Sequence, residues 1–180
     1  GCGTAIALRL AAEGARVAIT ARSTAGLERT RSAIEARGGE VLLLACDLAD
    51  PQQRESLVGQ VEARLGGIDI LVNNAAAGGY KPFAEWTLAE LEAMQQVNVW
   101  APWRLAQQTL PGMRERGRGW ILNLTSSVAE LPAGPPFSRT PPARAGSAYG
   151  SSKAALNRMT VALAAETEGM GIAVNALTPQ

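Results

Sequence analysis

Histidine is absent from the 180 residues. That absence removes Ser-His-Asp and Cys-His catalysis and every zinc site that needs an imidazole ligand. No metal is expected, and proton chemistry is left to Tyr, Lys, Asp, Glu and Cys. Cysteine is almost absent: Cys2 and Cys46 provide no disulfide framework. Their scarcity fits a reducing compartment, so a cytoplasmic location is expected. Charge of either sign is not in excess, since 17 basic residues face 16 acidic ones. A nucleic-acid or membrane-surface role resting on bulk charge is thereby excluded. No apolar run reaches the length of a membrane span, and no signal peptide is visible. What remains, 47% apolar and 18% charged residues, describes a globular chain long enough for one domain and marginal for two.

Two further scarcities are more pointed. Nearly all basic charge is arginine, and the lysines are Lys81 and Lys153 alone. The tyrosines are Tyr80 and Tyr149 alone.

Hydrophobic patterning alternates along the chain. Helical periodicity over Thr4–Glu13, Ala25–Arg37, Asp50–Leu65, Thr87–Leu110 and Tyr149–Glu168 separates short apolar runs. Those runs, Arg16–Ala21, Glu40–Cys46, Ile68–Asn73, Trp120–Thr125 and Ile172–Asn175, read as strands. Strands apolar on both faces that alternate with helices predict a parallel sheet covered on both sides, an α/β fold of three layers. Glu130 to Ser147 is rich in proline and glycine and is not expected to form regular structure.

Candidate binding residues fall where helices begin and strands end. Gly1-x-Gly3 lies directly before a helix, where glycine lets a pyrophosphate approach and the helix N-terminus supplies free N–H groups. A tight turn explains it equally well. Arg22 follows the first strand, at the place where a dinucleotide fold carries an acid for the adenosine ribose. An arginine there would pair with a 2′-phosphate; a solvated surface arginine is the plainer alternative. Asp47 follows the second strand and could accept a hydrogen bond from an adenine amino group, or simply cap a loop. Asn73-Asn74-Ala75 follows the third strand, and small residues there allow close passage of a ligand.

Candidate catalytic residues centre on Tyr149-x-x-x-Lys153, whose spacing places both side chains on one helix face. With so few tyrosines and lysines, that spacing arises by chance in only roughly 2% of cases. A phenol titrates near 10 and is a poor acid–base group at neutral pH. An ammonium about 4 Å away supplies roughly 4 kcal/mol at an effective dielectric near 20, enough to bring the phenol down by two to three units. Ser126 ends the fourth strand, where a hydroxyl can orient a substrate carbonyl, although Ser127 or a plain turn competes for that reading. Asn98 lies four residues before Pro102, which has no N–H, so the Asn98 carbonyl lacks its usual helical partner and can hold a water.

Taken together, Gly1-x-Gly3, Asp47-Leu48, Asn73-Asn74-Ala75, Asn98, Ser126, Tyr149-x-x-x-Lys153 and Val174-Asn175-Ala176 with Pro179 resemble the short-chain dehydrogenase/reductase family, in family order over essentially the whole chain. The resemblance implies a Rossmann-type doubly wound parallel sheet and hydride transfer between a nicotinamide and a carbonyl or secondary alcohol. Tyr149 would be the general acid/base, Ser126 would bind the substrate oxygen, and Lys153 would hold the nicotinamide ribose and lower the tyrosine pKa. Asn98 would hold a relay water through its main chain. Gly1, Gly3, Arg22, Asp47, Leu48, Asn74, Ala75, Tyr149, Lys153 and Pro179 would bind the cofactor. Arg22 without a preceding acid matches the NADP(H)-preferring pattern, with NAD(H) as the alternative. Ala76 stands where the family has glycine, and Pro179-Gln180 where it has Pro-Gly.

The resemblance also implies a small-molecule substrate, no nucleic-acid or membrane partner, and a homodimer or homotetramer. Trp100, Trp103 and Met159 are candidate interface residues. Phe137, Arg139 and Arg144 in the insertion 130–147 are candidate substrate contacts. Residues 1–180 are expected to be one domain that lacks its first strand and its C-terminal substrate-binding segment. That strand would belong between those ending at Ala21 and Asn73, so the 180 residues alone are expected to be unstable and inactive. The competing reading is a non-catalytic NADP(H)-binding sensor or interaction module on the same fold, which would not need Asn98, Ser126, Tyr149 and Lys153. A methyltransferase or flavodoxin-like domain would share the architecture but leave Tyr149 with Lys153 unexplained.

Overall fold

Among the described residues five strands form, each preceded by helix, as the alternation predicts, and the strands within each unit pair in parallel. The computed structural model describes residues 1–131, 133–136 and 146–179. Phe137, Arg139 and Arg144, the expected substrate contacts of the insertion, lie outside the described residues. The chain divides into two compact units, Gly1–Ile68 and Asp69–Gln180.

In the first unit, α1 (Cys2–Ala12) leads to β1 (Val17–Ala21), α2 (Thr24–Glu35) and β2 (Val41–Ala45). The two strands pair in register, Val17 opposite Val41 and Ala21 opposite Ala45. Ala7, Val17 and Ile34 are buried together, with Leu10, Ile19 and Val41 packed around them. Each such large side chain contributes roughly 1.5–3 kcal/mol on burial. The next helix was expected to run unbroken to Leu65. It is instead two pieces, α3 (Pro51–Glu55) and α4 (Leu57–Leu65). Asp50 caps α3 by accepting the Gln52 and Gln53 N–H groups. Ser56 then interrupts the helix, its hydroxyl donating back to the Gln53 carbonyl, the local competition that makes serine a poor interior residue.

In the second unit, β3 (Ile70–Asn73), β4 (Gly119–Leu124) and β5 (Ile172–Leu177) pair in the order β3-β4-β5. These neighbours, and the β1-β2 pair, are those of a doubly wound parallel sheet. Among the described residues no strand joins β1 to β3, so the hydrogen-bonded sheet comes in two parts.

The long helix that crosses Asn98 is not uniform. α5 (Leu88–Gln95) starts with a capping box in which Thr87 and Glu90 satisfy each other's backbone N–H groups. One wide π turn follows, Gln96–Trp100, and then α6 (Ala101–Arg116). The missing N–H of Pro102 explains the turn: the ladder widens so that the Ala101 N–H reaches back to the Gln96 carbonyl. The helix also continues past the expected end at Leu110 to Arg116. α7 (Ser147–Glu166) carries Tyr149 and Lys153. Among the described residues no helix is long and apolar enough to cross a membrane. Trp100 and Trp103 stand exposed, whereas Met159 is buried in the core and drops out as an interface residue.

Gly171 opens β5 with φ +71°, and a Cβ there would overlap the Gly117 carbonyl oxygen. Gly171→Ala is therefore expected to cost more than about 2 kcal/mol, because backbone strain and overlap add. Urea unfolding of the full-length protein measures it, and an unchanged midpoint would contradict the packing described.

Candidate active site

Parallel strands place their carboxyl ends on one edge, where open α/β sheets bind ligands. In the second unit that edge carries Asn74 and Ala75 after β3, Ser126 after β4 and Pro179 after β5. In the first unit Arg22 follows β1, and Asp47 and Leu48 follow β2.

The second unit carries all four candidate catalytic residues: Ser126 lies beside Tyr149, Asn98 is linked to the Tyr149 backbone through Ser152, and Lys153 follows one helical turn on. The Ser126 side chain is close enough to draw the phenol's pKa down. Lys153, one turn beyond Tyr149, is only 2% exposed. Its ammonium donates to the Leu124 carbonyl at 2.7 Å and lies 5.8 Å from the centre of the Tyr149 ring. Asn98 is fully buried. Its Nδ2 donates to the Ala77 carbonyl at 2.7 Å and to Ser152 Oγ at 2.9 Å, and its Oδ1 accepts the Ala77 N–H at 2.8 Å. Ser152 in turn donates to the Tyr149 carbonyl at 2.7 Å.

One electrostatic expectation is corrected. Lys153 was expected to pull the Tyr149 pKa down. Instead, burial and the nearby Tyr80 phenol push Tyr149 above its ordinary value, and the Ser126 side chain is what acts downward. The physical reason is the direction of the Lys153 ammonium, which is occupied by the Leu124 carbonyl. At neutral pH Tyr149 is thus a protonated phenol, a donor. Burial moves Lys153 the other way, down to about 8.

Sequence reasoning assigned Asn98 through its main chain; the structure adds its carboxamide, which clasps Ala77 and Ser152. Ser152 itself went unremarked, although it sits inside the tyrosine–lysine spacing. A second buried chain also went unread: Asn73 Nδ2 donates to Asn123 Oδ1 at 2.8 Å, and Asn123 Nδ2 to Thr160 Oγ1 at 2.8 Å. The signal was available, because an asparagine inside the apolar run 120–125 is a poor strand residue and must find partners once buried. Tyr80 is the remaining omission. Its ring meets that of Tyr149 edge-on, with centroids 6.4 Å apart.

The first-unit candidates have simpler surroundings. Gly1 caps α1 without a side-chain hydrogen bond, and the first turn, which includes Gly3, holds no acid. Arg22 is exposed and is followed by Ser23, whose hydroxyl accepts the Gly26 N–H at 3.2 Å. Asp47 Oδ1 accepts the Ala49 N–H at 2.9 Å, so the carboxylate is partly engaged in its own turn. The Leu48 carbonyl accepts from Arg54 Nη1 at 2.7 Å.

The chain has counterparts among known proteins. The family model of the short chain dehydrogenases matches residues 1–180. The chain belongs to the short-chain dehydrogenase family. It is 35% identical to the ketoacyl reductase HetN of a Nostoc species, over 99% of this chain and 59% of that protein. It is 31% identical to the 7alpha-hydroxysteroid dehydrogenase of Escherichia coli K12, over 99% of this chain and 66% of that protein. The chain therefore spans less than two thirds of the length of either relative. A metagenomic short-chain oxidoreductase solved in complex with NADP superposes with a TM-score of 0.90 at 34% identity. That match covers 100% of this chain and 77% of the other.

The depressed Lys153 pKa makes a prediction about stability. The folded protein releases this proton near 8, the unfolded chain near 10.5. Between those values the unfolded state holds the extra proton, so raising the pH favours folding. The Lys153 contribution is expected to increase the unfolding free energy from pH 8 to pH 10. The rise should vanish in Lys153→Met when the two proteins are compared by denaturant titration. Parallel pH profiles would contradict it.

Proposed function

We propose that the protein is an NADP(H)-preferring oxidoreductase that interconverts a carbonyl and a secondary alcohol. The observation that carries this reading is Ser126 beside Tyr149, with Lys153 buried one helical turn away. Two hydroxyls so placed can both address one substrate oxygen. Ser126 holds that oxygen, and Tyr149 donates its proton to it in reduction. The raised pKa of Tyr149 keeps the proton in place until the oxygen gains negative charge. Ser152 fixes the backbone of Tyr149, and Asn98 fixes Ser152.

The residues present fit a phosphate-bearing nicotinamide dinucleotide. Gly3 lies in the first turn of α1, which carries no acid, and that suits the approach of a pyrophosphate to a helix N-terminus. Arg22 is exposed at the end of β1 with no acid beside it, which suits a 2′-phosphate. We assign Gly1, Gly3, Arg22, Asp47 and Leu48 to the pyrophosphate and adenosine end. Asn74, Ala75, Tyr149, Lys153 and Pro179 are assigned to the nicotinamide end, with Lys153 on the ribose. When bound, the nicotinamide supplies or accepts the hydride. The NADP complex of the metagenomic oxidoreductase supports this cofactor, and the reductase and dehydrogenase names of the relatives support the reaction class. We further propose a cytoplasmic homo-oligomer, for which the exposed Trp100 and Trp103 are candidate apolar contacts.

Two substitutions in the full-length protein test the reading. Tyr149→Phe should lower kcat at least about 100-fold, because it deletes the proton donor. NADPH affinity, read by the fluorescence of the bound cofactor, should change little. Arg22→Asp should weaken NADPH about tenfold or more while leaving NADH nearly unchanged, since it sets a negative charge against the 2′-phosphate. Full turnover in Tyr149→Phe would overturn the mechanism. An unchanged NADPH-to-NADH ratio in Arg22→Asp would overturn the cofactor assignment.

A further inference from the structure

We propose that Tyr80 is a specificity-determining residue, a wall on which the flat apolar substituent of a ketone packs while Tyr149 and Ser126 hold its oxygen. The inference deepens the proposed function and rests on it. Tyr80 touches the Tyr149 ring edge-on, at an interplanar angle of 71°, so one edge of the ring is committed to the acid. The remainder is open: Tyr80 is 53% exposed. An aromatic surface beside a reacting hydroxyl gains by being covered, and a flat apolar group covers it best.

Tyr80 is held in place from both sides in sequence. Upstream, the Ala77 backbone is tied in both directions to Asn98. Gly78 lies flat against Tyr149, since a Cβ on it would stand 3.1 Å from Tyr149 Cδ2. Downstream, Lys81 Nζ lies 2.6 Å from each Glu90 carboxylate oxygen and 4.7 Å from the centre of the Trp86 ring. Glu90 is itself fixed, because it also accepts the Thr87 N–H at 2.9 Å. The wall is therefore preorganised, and ordering it does not subtract from substrate binding.

The same contacts set its chemistry. The charge nearest in sequence, Lys81, is neutralised by Glu90, so the segment presents ring rather than charge. Phe83 and Leu88, further along, are 82% and 70% exposed. The class favoured is a neutral ketone with an aryl or similarly flat apolar arm.

The test compares acetophenone with 2-butanone as NADPH-dependent substrates of the full-length protein. Tyr80→Ala should lower kcat/KM for acetophenone about tenfold or more and change 2-butanone less than about twofold. Tyr80→Phe, which keeps the ring and loses the hydroxyl, should leave both nearly unchanged. Equal losses on both ketones would overturn the proposal and make Tyr80 a support for Tyr149. No loss on either would overturn it too. Calorimetric binding of acetophenone separates this inference from the reading beneath it. If the wild type oxidises no NADPH with either ketone, the redox reading fails. In that event, binding to wild type and not to Tyr80→Ala sustains the wall, whereas equal binding or none to both overturns it.

Discussion

The Asn98 carboxamide is the constraint on which the candidate site depends. It is fully buried, and both of its polar atoms are engaged. Through Ala77 it fixes the segment that follows β3, and through Ser152 it fixes the turn of α7 that bears Tyr149. One side chain therefore sets the distance between the backbone of Tyr149 and the segment that packs against its ring. A buried amide with an unmet donor costs on the order of 1–3 kcal/mol, so this network favours a single arrangement. Gly78 follows from the same constraint, because the segment approaches Tyr149 too closely for a side chain.

Asn98 reaches this position because the helix around it is not an ordinary α-helix. Pro102 deletes one N–H, the ladder slips to a π turn over Gln96–Trp100, and the residues within that turn are rotated from where an unbroken α-helix would place them. Such turns are frequent at functional sites because they free backbone groups inside an otherwise satisfied element. Here a local defect in the helix and a buried clasp coincide at one residue. That coincidence links a single proline in the sequence to the placement of Tyr149.

Much of the fold was legible because its signals are local. Apolar runs bounded by glycine and caps marked all five strands to within two residues, and the tyrosine–lysine spacing marked α7. The interruption at Ser56 was not legible, since it turns on one hydroxyl competing for one carbonyl. In the candidate site, a strand end pointed to Ser126 and the helical spacing to Tyr149 and Lys153, yet the direction of the Tyr149 shift escaped. Spacing fixes which helix face two groups share, not which atom an ammonium points toward. The Leu124 carbonyl, 29 residues away in sequence, leaves no trace in the tyrosine–lysine motif. Tyr80 escaped for a related reason: its contact with Tyr149 is long-range, and its own sequence neighbours read as a loop.

The central claim is that the Asn98 clasp holds Tyr149, the proposed acid, in its working geometry. Asn98→Ala in the full-length protein tests it, with turnover and amide hydrogen exchange measured on the same sample. The account predicts that kcat falls at least about tenfold, that exchange accelerates over residues 77–81, and that circular dichroism stays native. Full turnover in a natively folded Asn98→Ala protein, with protection of that segment unchanged, would contradict it.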